Sequence, residues 1–353
     1  MKHGIMTCRG ESLGKNIGDY VQAIAARVFA GKNAVFLERE ELDSYAGESV
    51  KVAMNAWFMH HPERFPPSSA IHPLFVSFHL RPAVYDRFFT PESIAYLRKY
   101  APIGCRDLAT VKAMKQHGIP AVFTSCVTLA LGECVKRGHV SGPPVFVDPY
   151  SCRLPRGKLH FRDLVRCLRA LPYFLCHGYA IVRLARKLKV FRYWPRNGKI
   201  LWRWYHATEF LRGYSPVFSS EFLLSAEYVT HKVLKNGEDE EGMIRRAEDL
   251  LRRYASAPFV ITSRLHCALP CLSMGVPVVV PYHRRMSEGR FDGNLDLLNH
   301  ICFDESMRLV RPDWLKTPDG RIHSAADLPE RSEWRRFAEN LSRTCRRFFS
   351  EGD

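Results

Sequence analysis

At 353 residues the chain is longer than one ordinary hydrophobic core organises, so two domains are the starting expectation. An apolar share of 46% fits a soluble globular protein, no apolar run approaches the ~18–20 residues that span a bilayer, and the N-terminal MKHGIMTCRGESLGKN has no apolar stretch of the secretory kind. The formal net charge of +16 points to an anionic partner, and eleven cysteines without framework spacing read as reduced, mostly buried thiols of a cytosolic protein.

The chain begins with alternating strand and helix patterns. Residues 5–7 read as a short strand, residues 20–30 as a helix with Tyr20, Ile24 and Val28 on one face, and residues 34–37, 52–58 and 74–78 as strands. Residues 91–100 form a helix with proline in its first turn, 103–105 a strand, 107–116 a helix stopped at Gly118, and 121–124 a further strand. Such alternation predicts a mainly parallel, doubly wound sheet. The polar, Gly- and Pro-rich stretch 133–144 predicts a domain boundary, giving a first α/β domain over 1–140 and a second over 141–353.

The second domain restarts with a strand at 145–147 and then carries an unusual insertion. Residues 153–213 hold 15 Lys and Arg against Asp163 and Glu209, a net +13, together with aromatics that include Phe161, Tyr193 and Trp194. This stretch reads as helical pieces broken at Pro172, Gly178, Pro195 and Gly198. Helices packed by their aromatic faces account for part of the pattern; the charge excess argues further for an anionic surface partner, a membrane leaflet or a lipid-linked carrier. No nucleic-acid motif is present, so nucleic acid is not expected. A strand at 228–230 and an amphipathic helix over 238–254 follow, and an amphipathic helix over 332–349 closes the chain.

The most informative stretch is PFVITSRLHCALPCLSMGVPVVVP at 258–281. An apolar strand stops at Thr262–Ser263, Arg264, Leu265 and His266 follow, a helical segment runs to Gly275, and a second apolar strand begins at Val276. This unit puts a fixed cation and an imidazole at the carboxyl end of a strand beside a helix N-terminus, where open α/β sheets bind ligands and amides favour anions. Pro270 is compatible only with a helix that begins near Leu269, or with one that begins at His266 and bends; either leaves amides around 266–268 free for a ligand. Cys267 and Cys271 read as small packed residues, and no metal set is expected.

Other candidates stand at strand ends. Asn16, Gly18 and Asp19 form a loop that opens a helix: Asp19 serves as a general base or hydroxyl partner, or caps the helix while Gly18 allows the turn. Arg106 offers an anion contact or a surface ion pair, and Asp107 reads as an N-cap. His79 closes the 74–78 strand and faces the site on that reading; His60, His61 and His231 have similar placement.

These stretches together resemble the polysaccharide pyruvyl transferases. SRLHCALPCLSMGVPVVVP resembles that family's C-terminal signature, GKNIGDYVQAIAA its Asn-x-Gly-Asp loop and helix, and IGCRDLAT its central Arg-Asp element, in the family's order across residues 14–281. The resemblance implies two Rossmann-like doubly wound domains in a GT-B-like arrangement with a cleft between them. It implies transfer of pyruvate from phosphoenolpyruvate to a saccharide as a cyclic ketal, with Arg264, Leu265 and His266 at the donor, phosphoenolpyruvate as co-substrate and no cofactor. A saccharide or lipid-linked oligosaccharide is the expected acceptor, used in exopolysaccharide or cell-surface glycan synthesis, and the expected place is the cytoplasm, peripheral to the inner face of the membrane. On this reading Arg264 holds the anions, His266 binds phosphate as imidazolium or acts as the acid, Asp19 is the base or orients the hydroxyl, and Asn16, Gly18, Arg106 and His79 line the site. The rival readings are a nucleotide-sugar glycosyltransferase of the same architecture and a non-catalytic binder of anionic glycans or lipids.

Overall fold

A computed structural model describes residues 1–8, 16–151, 161–191, 200–233, 239–286 and 289–351. The fold is α/β, with two parallel sheets. The first joins β1 (Lys2–Thr7), β2 (Val35–Glu38), β3 (Val50–Ala53) and, beyond the short β4 (Trp57–Phe58), β5 (Ile71–Leu74), in the order β2-β1-β3-β5. Past this sheet, β4 pairs with β6 (His79–Leu80), and β7 (Ile103–Cys105) pairs with β8 (Ala121–Phe123); a bridge from Phe78 to Cys105 links the two ladders. The second sheet has β9 (Val145–Val147), β10 (Glu227–Val229), β11 (Val260–Thr262), β12 (Val278–Tyr282) and β13 (Asn299–Cys302), ordered β10-β9-β11-β12-β13.

In both sheets the first strand lies inside, flanked by the second strand on one side and the third on the other. The connections therefore leave in opposite directions beside β1 and beside β9, which opens the carboxyl ends of these strands to a ligand. The apolar β9 and β11, the latter ending in Thr262, are buried on both faces, as expected for inner strands of a parallel sheet.

Ten α-helices are described: α1 (Ile17–Ala30), α2 (Tyr85–Phe88), α3 (Pro91–Lys99), α4 (Leu108–Gln116), α5 (Phe161–Leu188), α6 (Ile200–Tyr214), α7 (Ser220–Ser225), α8 (Glu240–Ser256), α9 (Leu265–Ser273) and α10 (Trp334–Ser350). The core between the sheets is continuous: Ile5 and α1 residues such as Val21 and Ala25 belong to one apolar cluster with Leu251, Val260, Leu269 and Val278. Each fully buried Val, Leu or Ile side chain among them contributes roughly 1.5–3 kcal/mol relative to exposure. Arg27 pairs with Glu241 at 3.0 Å, and Tyr20 Oη donates to Glu240 Oε2 at 2.7 Å, so α1 and α8 are also tied at their polar edges. The C-terminal α10 returns to the first sheet, where Lys51 Nζ donates to the Phe348 carbonyl at 2.9 Å and the His3 and Phe349 rings meet edge to face at 5.0 Å.

Several expected elements differ. The strand read at 52–58 is interrupted between β3 and β4, where Asn55 exchanges side-chain and main-chain hydrogen bonds with Gln22 of α1. The strand read at 74–78 ends at Leu74; Ser77 has a φ of 56°, and Phe75 and Phe78 turn into an aromatic cluster with Phe58, Phe65 and Phe88. His79 accordingly opens β6 instead of closing a strand. Pro172 does not break α5, which runs through it, whereas the break expected at Gly178 is present one residue earlier: His177 leaves the helical region with a φ of −122° and a ψ of 18°, so α5 is two helical pieces joined at a kink. Pro195, Gly198, Tyr193, Trp194 and Arg153 lie outside the described residues. No helix among those described is long and apolar enough to cross a membrane.

Candidate active site

The carboxyl ends of β9, β11 and β12 are stitched by short polar side chains. Thr262 Oγ1 donates to the Val147 carbonyl at 2.9 Å and accepts from the Arg264 amide at 3.0 Å. Ser263 Oγ donates to the Pro281 carbonyl at 2.8 Å and accepts from the Tyr150 amide at 2.8 Å. These contacts hold Arg264 in an extended N-cap conformation at the head of α9, beside the point where strand order reverses. The helix begins at Leu265 with Pro270 inside it, so the proline removes only the bond that would have met the His266 carbonyl. The amides of Cys267 and Ala268 both donate to the Arg264 carbonyl, at 3.0 and 2.9 Å, so the expectation of free amides across 266–268 is corrected: those two are spent inside the turn. Leu265 and His266 supply the first-turn amides that helix geometry leaves unpaired.

Arg264 is not a lone cation. Its Nε donates to Asp148 Oδ2 at 3.1 Å, and that carboxylate also accepts the His231 amide at 3.0 Å. Asp148 follows β9 with a φ of 38°, a left-handed conformation that turns its side chain back across the strand ends. The Arg264 side chain is 34% exposed, which leaves part of the guanidinium accessible from solvent.

His266 lies one helical step on and meets the first half of the molecule. Its Nε2 accepts from Arg106 Nη1 at 3.3 Å. On its other side stands Gly18 of α1, where a Cβ would sit 3.1 Å from Nδ1. Burial holds the His266 imidazole well below its ordinary pKa, and the charges of Arg106, His231, Arg290 and His79 add to the effect. The ring is therefore neutral near pH 7, and the expected imidazolium is not its resting state.

Gly18 has an ordinary helical backbone; it is needed for close approach rather than for a turn. Asn16 takes the N-cap of α1, accepting from the Gly18 amide at 3.4 Å, while its Nδ2 donates to Asp19 Oδ2 at 3.3 Å. Capping thus falls to Asn16 and leaves Asp19 in the first turn, half-buried. The loop is fastened to the second sheet, because the Ile17 amide donates to the His231 carbonyl at 2.9 Å and Asn16 bridges Lys232.

Arg106 is 4% exposed, and its Nε has no hydrogen-bond partner among the described residues. Burial works against its charge, and Asp107, Cys126 and Asp19 offset that in part. Asp107 caps α4 through the Thr110 amide at 2.9 Å and takes His79 Nδ1 at 2.5 Å. The result is a buried column, with His79 behind Asp107 and Arg106 leading forward to His266. His79 has its pKa lowered to about 4, first by burial and then by Arg106. From the second half, Asn294 Nδ2 donates to the Arg106 carbonyl at 2.9 Å, so the segment after β12 braces this column.

One further cation escaped the sequence reading. Arg39, at 2% exposure, follows β2, donates to Glu40 Oε1 and to Cys8 Sγ, each at 3.0 Å, and lies 4.9 Å from the centre of the Trp57 ring. The REE run at 39–41 carries no local sign of burial, and only the tertiary arrangement buries its first member. His60 and His61 meet this group through their main chain, both donating N–H to Glu40 Oε2. Leu265 is buried, as are Cys267 and Cys271. No cluster of three or more His, Cys, Asp or Glu suited to a metal occurs among the described residues.

A family model described as polysaccharide pyruvyl transferase matches residues 73–282. This span contains Arg106 and the whole β11–α9–β12 unit. No curated protein matches the chain.

Proposed function

The chain belongs to the polysaccharide pyruvyl transferase family and is therefore a transferase; from that premise we propose that it moves pyruvate from phosphoenolpyruvate to a saccharide as a cyclic ketal. The observation that carries this reading is the meeting of Gly18, Arg106 and His266 within hydrogen-bonding and van der Waals distance, next to Arg264. The donor brings a carboxylate and a phosphate on one small frame, and two guanidiniums beside first-turn amides suit it.

The reaction balances without a cofactor. A proton added to the methylene carbon makes C2 electrophilic, and a sugar hydroxyl adds there, giving up its proton. The C2–O bond to phosphate breaks, inorganic phosphate leaves with the electron pair, and a second hydroxyl of the same sugar closes the ring at C2 and loses its proton. Arg264, steadied by Asp148, holds one anionic group, and Arg106 faces the other. His266 rests neutral, and the arrival of a dianion raises its proton affinity, which readies it to carry the proton. Asp19, oriented by Asn16, takes the hydroxyl proton.

In this reading residues 1–140 form the acceptor side and residues 141–353 the donor side, as two GT-B-like domains. The acceptor is a saccharide, free or lipid-linked, of a cytoplasmic route to exopolysaccharide or cell-surface glycan. The test is to incubate the full chain with phosphoenolpyruvate and a panel of glycans, then measure phosphate and acceptor mass. Phosphate release matched by a pyruvyl ketal on the glycan supports the proposal. Release of a nucleotide from nucleotide sugars, with phosphoenolpyruvate untouched, sinks it.

A further inference from the structure

Helix α5 has two apolar faces, and only one is covered. Ala170, Ile181, Leu184 and Leu188 turn inward and are buried. Leu164, Leu168, Leu171, Leu175 and Tyr179 recur at helical spacing along another face, and all five are exposed, Leu175 at 72% and Tyr179 at 74%. Up to the kink at His177 the stripe runs for roughly 16 Å at the helical rise, and Tyr179 follows just beyond it. The neighbouring α6 extends it with exposed Ile200, Leu201 and Trp204, the last stacked on Phe174 at 5.4 Å. Scattered apolar residues are normal on a surface, but a contiguous row marks an interaction site.

The charges around the stripe say what it meets. Arg166, Arg169, Arg183, Arg186 and Lys187 lie on α5, and the one acidic side chain described on α5 and α6, Glu209, is paired with Arg212 at 3.1 Å. We infer that this face docks on an anionic lipid bilayer, with α5 lying in the plane of the headgroups. An apolar stripe flanked by cations has the composition of an interfacial helix, and no described helix is suited to crossing the bilayer. A second copy of the chain is the poorer occupant, because a twofold contact would set these like charges against each other.

The helix pair that bears the docking face is fastened, through the buried side of α6, to the strand end that carries Asp148. Ser151 Oγ and His206 Nε2 of α6 lie 3.2 Å apart, and Tyr214 Oη donates to the Tyr150 carbonyl at 2.5 Å. A bilayer against α5 and α6 therefore stands beside the site. The inference holds without the pyruvyl-transfer reading; joined to it, it names a membrane-borne saccharide as the acceptor.

The test is cosedimentation of the full chain with vesicles of phosphatidylcholine alone or mixed with phosphatidylglycerol. Binding to the anionic vesicles is expected to be tighter by about tenfold or more and to weaken when salt rises from about 0.1 to about 0.5 M. It is expected to be lost in the Leu168→Asp, Leu175→Asp double variant, which replaces exposed side chains and keeps the wild-type Tm. Equal partition onto neutral and anionic vesicles, undiminished binding by that variant, or light scattering that shows the variant breaking a wild-type dimer would each overturn the inference. None of these readouts depends on turnover, so a failure here is distinguishable from a failure of the proposed reaction.

Discussion

Two arginine-rich regions of this molecule use the same charge in opposite ways. At the strand ends, Arg39 and Arg106 are almost wholly buried, at 2% and 4% exposure, and each has a carboxylate beside it, Glu40 or Asp107. Along α5, Arg183 and Arg186 are exposed and surrounded by further cations. A buried charge survives only where fixed partners offset its lost hydration, so it holds one position and can be aimed. An exposed charge is screened, contributes little singly and acts by accumulation. Residues 153–213, which include α5, hold +13 of the net +16, while the proposed chemistry sits in the first region, where each of these cations has a carboxylate beside it.

The sharpest way to break this contrast is Arg264→Ala. Phosphate release is expected to fall by about 10²–10³ or more, while circular dichroism shows the chain still folded; wild-type release would end the assignment. Acidification is next. Burial holds His79 and His206 down at about 4 and keeps His266 well below its usual range. A depressed imidazole stabilises the fold fully above the ordinary ~6.5 and loses that contribution as pH falls toward the folded value, because only the unfolded chain takes up the proton. Stability measured by urea unfolding should drop steeply between pH 6.5 and 4, by roughly 3 kcal/mol for each of His79 and His206. A flat profile would place these rings in water. Gly18→Ala comes third: the added methyl presses on His266, so turnover is expected to fall about tenfold, with Tm held because alanine suits the helix. A proportional fall in Tm would show misfolding instead. Smallest is Arg183→Ala on α5, which should move stability by no more than about 0.5 kcal/mol while weakening attachment to anionic vesicles.

The sequence already disclosed the unit that carries Arg264 and His266, since an apolar strand, a polar turn and a second apolar strand leave few alternatives. It also disclosed one cap, since Asp107 heads its helix as its type and position suggest, while at α1 the cap is Asn16 rather than Asp19. Less legible was whatever depends on distant partners. β13 contains Asn299 and His300 and has no apolar run, yet it completes the second sheet by pairing with β12. Gly18 looked like a turn residue because nothing local reveals that a ring from position 266 rests on it. Asp148 has no motif at all; its role follows from lying one residue past β9 with its neighbour strand delivering Arg264. Pro172 looked like a break because local propensity was the only guide, and α5 runs through it, while the break read at Gly178 is present as the kink at His177.

The return of α10 to the first sheet has a consequence for how this protein matures. Lys51 and His3 wait for Phe348 and Phe349, so the amino-terminal sheet, whose strands all lie before residue 75, lacks this cover until residues 334–350 have left the ribosome. Synthesis order and assembly order thus diverge, and a stall late in translation would strand the earliest-made strands with a bare apolar flank for chaperones to shield.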